Sequence, residues 1–90
     1  MLAMTDSAAP RPSHELVLLT KPDCHLCEAA RETVSAVADD LGLEWQEKSI
    51  LEDPELERRF AEEIPVVMID GVQRDFWRID PERLRRLLTA

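Results

Sequence analysis

The sequence contains no tyrosine, and only two phenylalanines and two tryptophans among its 90 residues. A core with so few rings must be built from aliphatic side chains. That suits one small two-layer domain of roughly three or four strands and three helices. Positive charge is also short. Lys and Arg number 11 against 19 Asp and Glu, for a formal net charge of −8. Such a balance argues against nucleic acid or an anionic membrane surface as a main partner, and a monomer that approaches neutral or basic surfaces is expected. No stretch nears the roughly 18 apolar residues of a membrane span. No basic segment followed by an apolar one opens the chain, so a cytoplasmic location is expected. Internal repeats are missing, and the only glycines are Gly42 and Gly71.

What is present divides unevenly. Residues 1–14 are small, polar and proline-containing, and read as a disordered N-terminal tail. The rest, 15–90, reads as the folded domain, with His14 at its edge. Two cysteines in a reducing compartment point to catalysis or metal binding rather than a structural staple.

Those cysteines are Cys24 and Cys27, in Cys24-His25-Leu26-Cys27. At the first turn of a helix, residues three apart face the same side at about 5–6 Å, close enough for a reversible disulfide. The flanks support this placement. Leu16-Val17-Leu18-Leu19-Thr20 is a continuous apolar run, as in a strand buried on both faces. Lys21-Pro22-Asp23 breaks it, because proline cannot continue a central ladder. A helical pattern then begins, with Leu26, Ala30, Thr33, Val34, Val37 and Leu41 predicted on one side. Cys24 therefore falls at the helix start, where free N–H groups and the dipole favour a thiolate. Lys21 adds a cation there, and Asp23 opposes it.

Downstream, Gly42 is a natural helix terminator. Leu43–Ile50 alternates only in part and reads as an outer strand, with Trp45 covering the helix or the sheet edge. Asp53-Pro54-Glu55 is a helix start with an Asp cap and proline in the first turn. Leu56, Phe60 and Ile64 form that helix's apolar side. Ile64-Pro65 opens the next apolar run, Val66-Val67-Met68-Ile69. X-Pro bonds are cis in only about 5–6% of folded cases, so composition favours trans at Pro65. Asp70-Gly71 signals a tight hairpin, returning through Val72–Trp77. Asp80-Pro81-Glu82 caps a last helix whose buried side is Leu84, Leu87 and Leu88. Arg83, Arg85 and Arg86 lie toward that helix's negative end.

The predicted order is β-α-β-α-β-β-α, with parallel first strands and an antiparallel final hairpin. Strand, Cys-x-x-Cys and strand-opening proline together resemble the glutaredoxin-like family, nearest to its small bacterial members. The resemblance implies an α/β minimal thioredoxin fold: a four-stranded mixed sheet with helices on both faces. It implies Cys24 as nucleophile and Cys27 as resolving thiol. It also implies a substrate side formed by Lys21, His25, Leu26, Ile64 and Pro65, with a cis bond at Pro65 beside the cysteines. Two departures stand out. His25-Leu26 replaces the usual Pro-Tyr, and Trp77-Arg78 stands where a Gly-Gly pair usually lets glutathione lie against the backbone.

The expected function is thiol–disulfide exchange on a protein or small-thiol disulfide. No resident cofactor and no metal ligand are expected. Glutathione or another small thiol, or a reductase, would recycle the pair. Two alternatives are an iron–sulfur or other metal-binding module and a redox-inactive adaptor on the same fold.

Overall fold

The computed structural model describes residues 14–89. Of the tail expected over 1–14, residues 1–13 lie outside the described residues.

The chain runs β1 (Leu16–Thr20), α1 (His25–Leu41), β2 (Gln46–Ser49), a 3-10 turn (Ile50–Glu52), α2 (Pro54–Phe60), β3 (Val66–Ile69), β4 (Val72–Phe76) and α3 (Pro81–Thr89). The sheet order is β2-β1-β3-β4. β1 pairs in parallel with β2, and antiparallel with β3. β3 and β4 form the antiparallel hairpin. This is the minimal thioredoxin fold, an α/β domain with a mixed four-stranded sheet.

Period-2 alternation sorts the core into two layers. Leu16 and Leu18 of β1 and Val67 and Ile69 of β3 point to one face, where they meet α1 and α3. Val17, Leu19, Val66 and Met68 point to the other face and meet Leu56 and Phe60 of α2. β1 is thus covered on both sides, which explains why it reads as an unbroken apolar run. Trp45 packs against the first cluster, as a cover for the helix and sheet.

Local chemistry sets the element ends. Gly42 adopts φ 71° and closes α1: its N–H and that of Leu43 donate to the carbonyls of Asp39 and Ala38. Only a residue without a Cβ takes this left-handed position at no cost. Asp53 accepts the Glu55 N–H at 2.9 Å, with Pro54 in the first turn of α2. Asp80 caps α3 in the same way, accepting the Glu82 N–H at 3.0 Å. Asp70 and Gly71, at φ 55° and 82°, form the two-residue turn of the hairpin. The Asp70 carboxylate also accepts the Glu15 N–H at 2.8 Å and contacts His14 Nδ1 at 2.7 Å, which the sequence reading did not foresee.

Two expectations need correction, and the hairpin carries an irregularity besides. The buried stripe of α1 is Cys27, Ala30, Val34, Val37 and Ala38. Leu26 lies off that stripe, 39% exposed, because the core-facing position in the first turn belongs to Cys27. The returning strand ends at Phe76, and Trp77 leaves it at φ 64°. The hairpin register also slips between Val67 and Met68, whose partners are Asp75 and Gln73. The residue skipped is Arg74, an edge bulge of the kind that re-aims a strand end.

Candidate active site

The site begins at the end of β1. Thr20 is the last strand residue and is buried. Lys21, Pro22 and Asp23 then turn the chain, with Asp23 at φ 57°. Aspartate is among the few side chains that visit this left-handed region readily. Cys24 follows as the N-cap of α1, in extended geometry, and its Sγ accepts the Cys27 N–H at 3.2 Å. The sulfur thus takes the role that a Ser or Asp oxygen plays at other helix starts, satisfying one of the orphan amides.

The two thiols, both free in this structure, differ sharply in environment. Cys24 is half-buried, while Cys27 is 1% exposed and belongs to the cluster with Leu19, Ile50, Phe60, Ile64 and Val66. Burial pushes the Cys27 thiol up to about 11, and the neighbouring Cys24 side chain adds to the rise. The Lys21 backbone amide and, less strongly, the Arg31 charge pull the other way.

The sequence-predicted site residues other than the buried Cys27 and Pro65 fall into two recesses. Lys21, His25 and Cys24 line a cleft of about 340 Å3 together with Asp23, Glu28 and Arg31. Leu26 and Ile64 line a second groove of about 430 Å3, walled by Asp75, Phe76, Trp77 and Arg78. Pro65 is fully buried, and the Ile64-Pro65 bond is cis, as the resemblance implied and composition did not. Its carbonyl accepts the Trp77 N–H at 2.8 Å. Its neighbours Ile64 and Val66 share the packed cluster of Cys27.

Sequence reasoning missed a charged clamp behind the cysteines. Arg31 donates from Nε and Nη2 to the two Glu47 oxygens, each at 2.7 Å. Thr20 Oγ1 donates to Glu47 Oε2 at 3.0 Å. Arg31 holds the Glu47 carboxyl below its ordinary range, opposed by burial and assisted by Thr20. The i+4 spacing from Cys27 to Arg31 was a signal available in the sequence; the arrival of Glu47 on β2 was not. The aromatic wall of Phe76 and Trp77 was likewise hidden. Among the described residues, no group of three or more His, Cys, Asp or Glu side chains is placed to hold a metal ion. No described helix is long and apolar enough to cross a membrane.

A dithiol at the start of α1, set against a cis-proline segment on this sheet, defines a thioredoxin-fold protein of the Cys-x-x-Cys class. More specifically, residues 15–89 match the family described as "Glutaredoxin-like domain (DUF836)", and the chain belongs to it. The uncharacterised protein Rv0508 of Mycobacterium tuberculosis is 30% identical over 80 residues, covering 83% of this chain and 80% of that protein. Among solved structures, protein XcR50 of X. campestris is 28% identical, with a TM-score of 0.68 over 82% of this chain and 95% of its own. Fasciola hepatica thioredoxin shares the fold at a TM-score of 0.64 and 18% identity, covering 88% of this chain and 81% of that one.

Proposed function

We propose that this chain is a thiol–disulfide oxidoreductase in which Cys24 attacks and Cys27 resolves. The observation that carries the reading is the asymmetry of the pair: Cys24 is the partly accessible N-cap, with an amide aimed at its sulfur, and Cys27 is sealed one turn behind.

The chemistry balances without a resident cofactor. The Cys24 thiolate attacks one sulfur of a substrate disulfide, that S–S bond breaks, and the other sulfur departs as a thiolate. Cys27 then attacks the Cys24 sulfur of the mixed disulfide and gives its proton to the departing thiolate. The second substrate sulfur leaves, and Cys24–Cys27 forms. The substrate gains two electrons and the protein loses two. A small thiol such as glutathione, or a dithiol reductase, restores the reduced pair. Reducing, cytoplasmic surroundings suit this cycle. Lys21 and His25 flank the entry to Cys24 on the polar side, while Leu26 and Ile64 lie on the apolar side, with Pro65 buried behind Ile64.

The test is a trapping experiment with a disulfide substrate and mass spectrometry. Cys27→Ser should accumulate a mixed disulfide at Cys24, and Cys24→Ser should exchange nothing. Trapping by Cys24→Ser, or no reaction with the unaltered protein, would overturn the reading.

A further inference from the structure

Charge is spread unevenly along the chain. Residues 74–86 hold five of the 11 cations, Arg74, Arg78, Arg83, Arg85 and Arg86, but only three of the 19 acids, Asp75, Asp80 and Glu82. The rest of the chain is therefore more acidic than the net −8 suggests, and this segment is basic. All five cations are arginine, although lysine occurs elsewhere, at Lys21 and Lys48. Arginine presents a planar fork that matches a carboxylate, and it is enriched at interfaces where lysine is depleted.

The fold sets four of these arginines along the β4–α3 flank and leaves them exposed. Arg74 is the bulged residue of β4, and its carbonyl accepts from Arg83 Nη2 at 3.4 Å, which holds the Arg83 guanidinium against the bulge. Arg86 lies one turn further along α3 on the same side. Arg78 stands at the other end, on the rim of the groove beside Leu26. Arg85 faces the other way and pairs with Asp40 of α1. Among the described residues, none of the other four forms an ion pair.

The acids between Asp70 and Thr89 do little to neutralise them, because most are turned to backbone amides. Asp75 accepts the N–H groups of Phe76 and Asp80. Asp80 accepts those of Glu82 and Arg83, and Asp70 that of Glu15. Glu82 is the one carboxylate of the set not so engaged, and four arginines outnumber it. Val72, 53% exposed, and the half-buried Leu87 lie beside Arg74 in a shallow recess of about 220 Å3, which adds apolar contact to the charge.

A surface carrying −8 evenly would turn away an acidic partner, and this flank reverses that locally. Screening decides the kind of partner. At physiological salt, charges are felt over about 8 Å. A compact carboxylate cluster therefore meets the arginines rather than the rest of the chain. An extended polyanion such as nucleic acid reaches past the flank and meets the acidic remainder. We propose that the β4–α3 flank docks an acidic protein, one that presents a cluster of carboxylates beside the disulfide exchanged at Cys24. This assignment names a partner class for the dithiol exchange and rests on that reading, since Arg78 joins the flank to the rim of the site.

The experiment uses full-length Cys27→Ser protein and three cysteine peptides, each activated as a mixed disulfide with thionitrobenzoate. A Gly-Ser spacer reaching about 15 Å joins the cysteine to a tract of Glu, Ser or Lys. Cys24 attacks the peptide sulfur, the bond to thionitrobenzoate breaks, and the coloured thiolate that leaves gives a second-order rate constant. Net charge alone predicts the order Lys, Ser, Glu. The flank predicts the reverse, with Glu ahead of Ser by about threefold to tenfold, the size of two or three exposed ion pairs. Added salt should shrink that ratio. Arg83→Gln with Arg86→Gln should abolish the Glu advantage and leave the Ser rate unchanged. Arg58→Gln with Arg59→Gln removes the same charge from α2 and should leave the advantage in place. The Lys peptide reacting fastest, or both double variants losing the advantage equally, would overturn the proposal and leave the exchange reading intact.

A cysteine-free Glu peptide, titrated by chemical shift, reads docking without chemistry. Saturable shifts should centre on Arg74, Arg83 and Arg86, and their absence there would overturn the proposal. No release from any activated peptide would overturn the exchange reading, while such shifts would still assign the flank to an acidic partner. Tighter binding at the same residues by a single-stranded oligonucleotide of equal charge would assign the flank to nucleic acid. Self-association at low salt, lost in the Arg83→Gln, Arg86→Gln protein, would assign it to a second copy. Either result would overturn the proposal.

Discussion

Arg31 on α1 and Glu47 on β2 form a two-pronged ion pair, 2.7 Å at each prong, across 16 residues of sequence. The pair fastens the helix that carries both cysteines to the outer edge of the sheet. Thr20, the last residue before the active-site turn, holds the same carboxylate. One acidic side chain therefore references the helix, the edge strand and the turn to each other. Glu47→Gln should cost about 0.5–1 kcal/mol at neutral pH, a value kept small because both partners are partly exposed. The Glu47 carboxyl lies below its ordinary 4.5 in the folded state. Its contribution is therefore present above pH 4.5 and lost as pH falls through the folded value. Urea unfolding of both proteins should show the gap at pH 7 and its closure in acid; a gap that widens in acid would contradict the assignment.

Cysteine reactivity should split along the burial line. At pH 7.5, iodoacetamide should modify Cys24 in the folded reduced protein and spare Cys27. A rise from 9.0 to about 11 leaves about a hundredfold less thiolate at Cys27, before access is counted. Peptide mapping after timed alkylation reads this directly.

The same shift predicts an alkaline weakness. Between pH 9.0 and about 11, the unfolded chain has released the Cys27 proton while the folded one still holds it. Stability of the reduced protein should fall across that window, and the disulfide form, which has no such proton, should not show this loss. Comparing Tm for the two redox forms at pH 8 and 10.5 checks it.

Phe60 closes α2 over the cluster that seals Cys27. Phe60→Ala should cost about 3–5 kcal/mol by lost burial and the cavity left behind. In the fraction still folded, Cys27 should alkylate faster while Cys24 barely changes. A rate increase confined to Cys24 would show that Phe60 covers a different part of the site.

Glutathione is expected to bind weakly. Lys21 supplies one cation, and Arg78 could pair a carboxylate bidentately. The Trp77 N–H is already committed to Pro65, however, and its ring occupies space beside Ile64. Chemical-shift titration of Cys27→Ser protein should show no saturation at Lys21, Ile64 or Asp80 at sub-millimolar glutathione.

The sequence by itself determined what depends on near neighbours along the chain. Cys24 and Cys27 share a helix start because of the Lys21-Pro22-Asp23 break. Gly42 ends α1, Asp53 and Asp80 cap their helices, and Asp70-Gly71 turns the hairpin. Each rests on interactions spanning at most about one helical turn, so residue type and spacing suffice. The fold class followed once those elements were read together as a thioredoxin fold, and the β2-β1-β3-β4 order came from the structure. Tertiary structure decided the rest. An isolated X-Pro bond favours trans, so the cis geometry at Pro65 was legible only through family resemblance. Helical periodicity allowed Leu26 a place in the core, but the packing of α1 on the sheet buried Cys27 and left Leu26 facing the groove. Arg31 meets Glu47 only because β2 pairs in parallel beside β1 in one particular register. Trp77 reads as a strand residue until the Pro65 and Glu62 carbonyls bend it out. The Arg31 and Trp77 contacts join segments 12 to 16 residues apart, and like the packing around Cys27 their geometry is set by how whole elements stack, which no local pattern encodes.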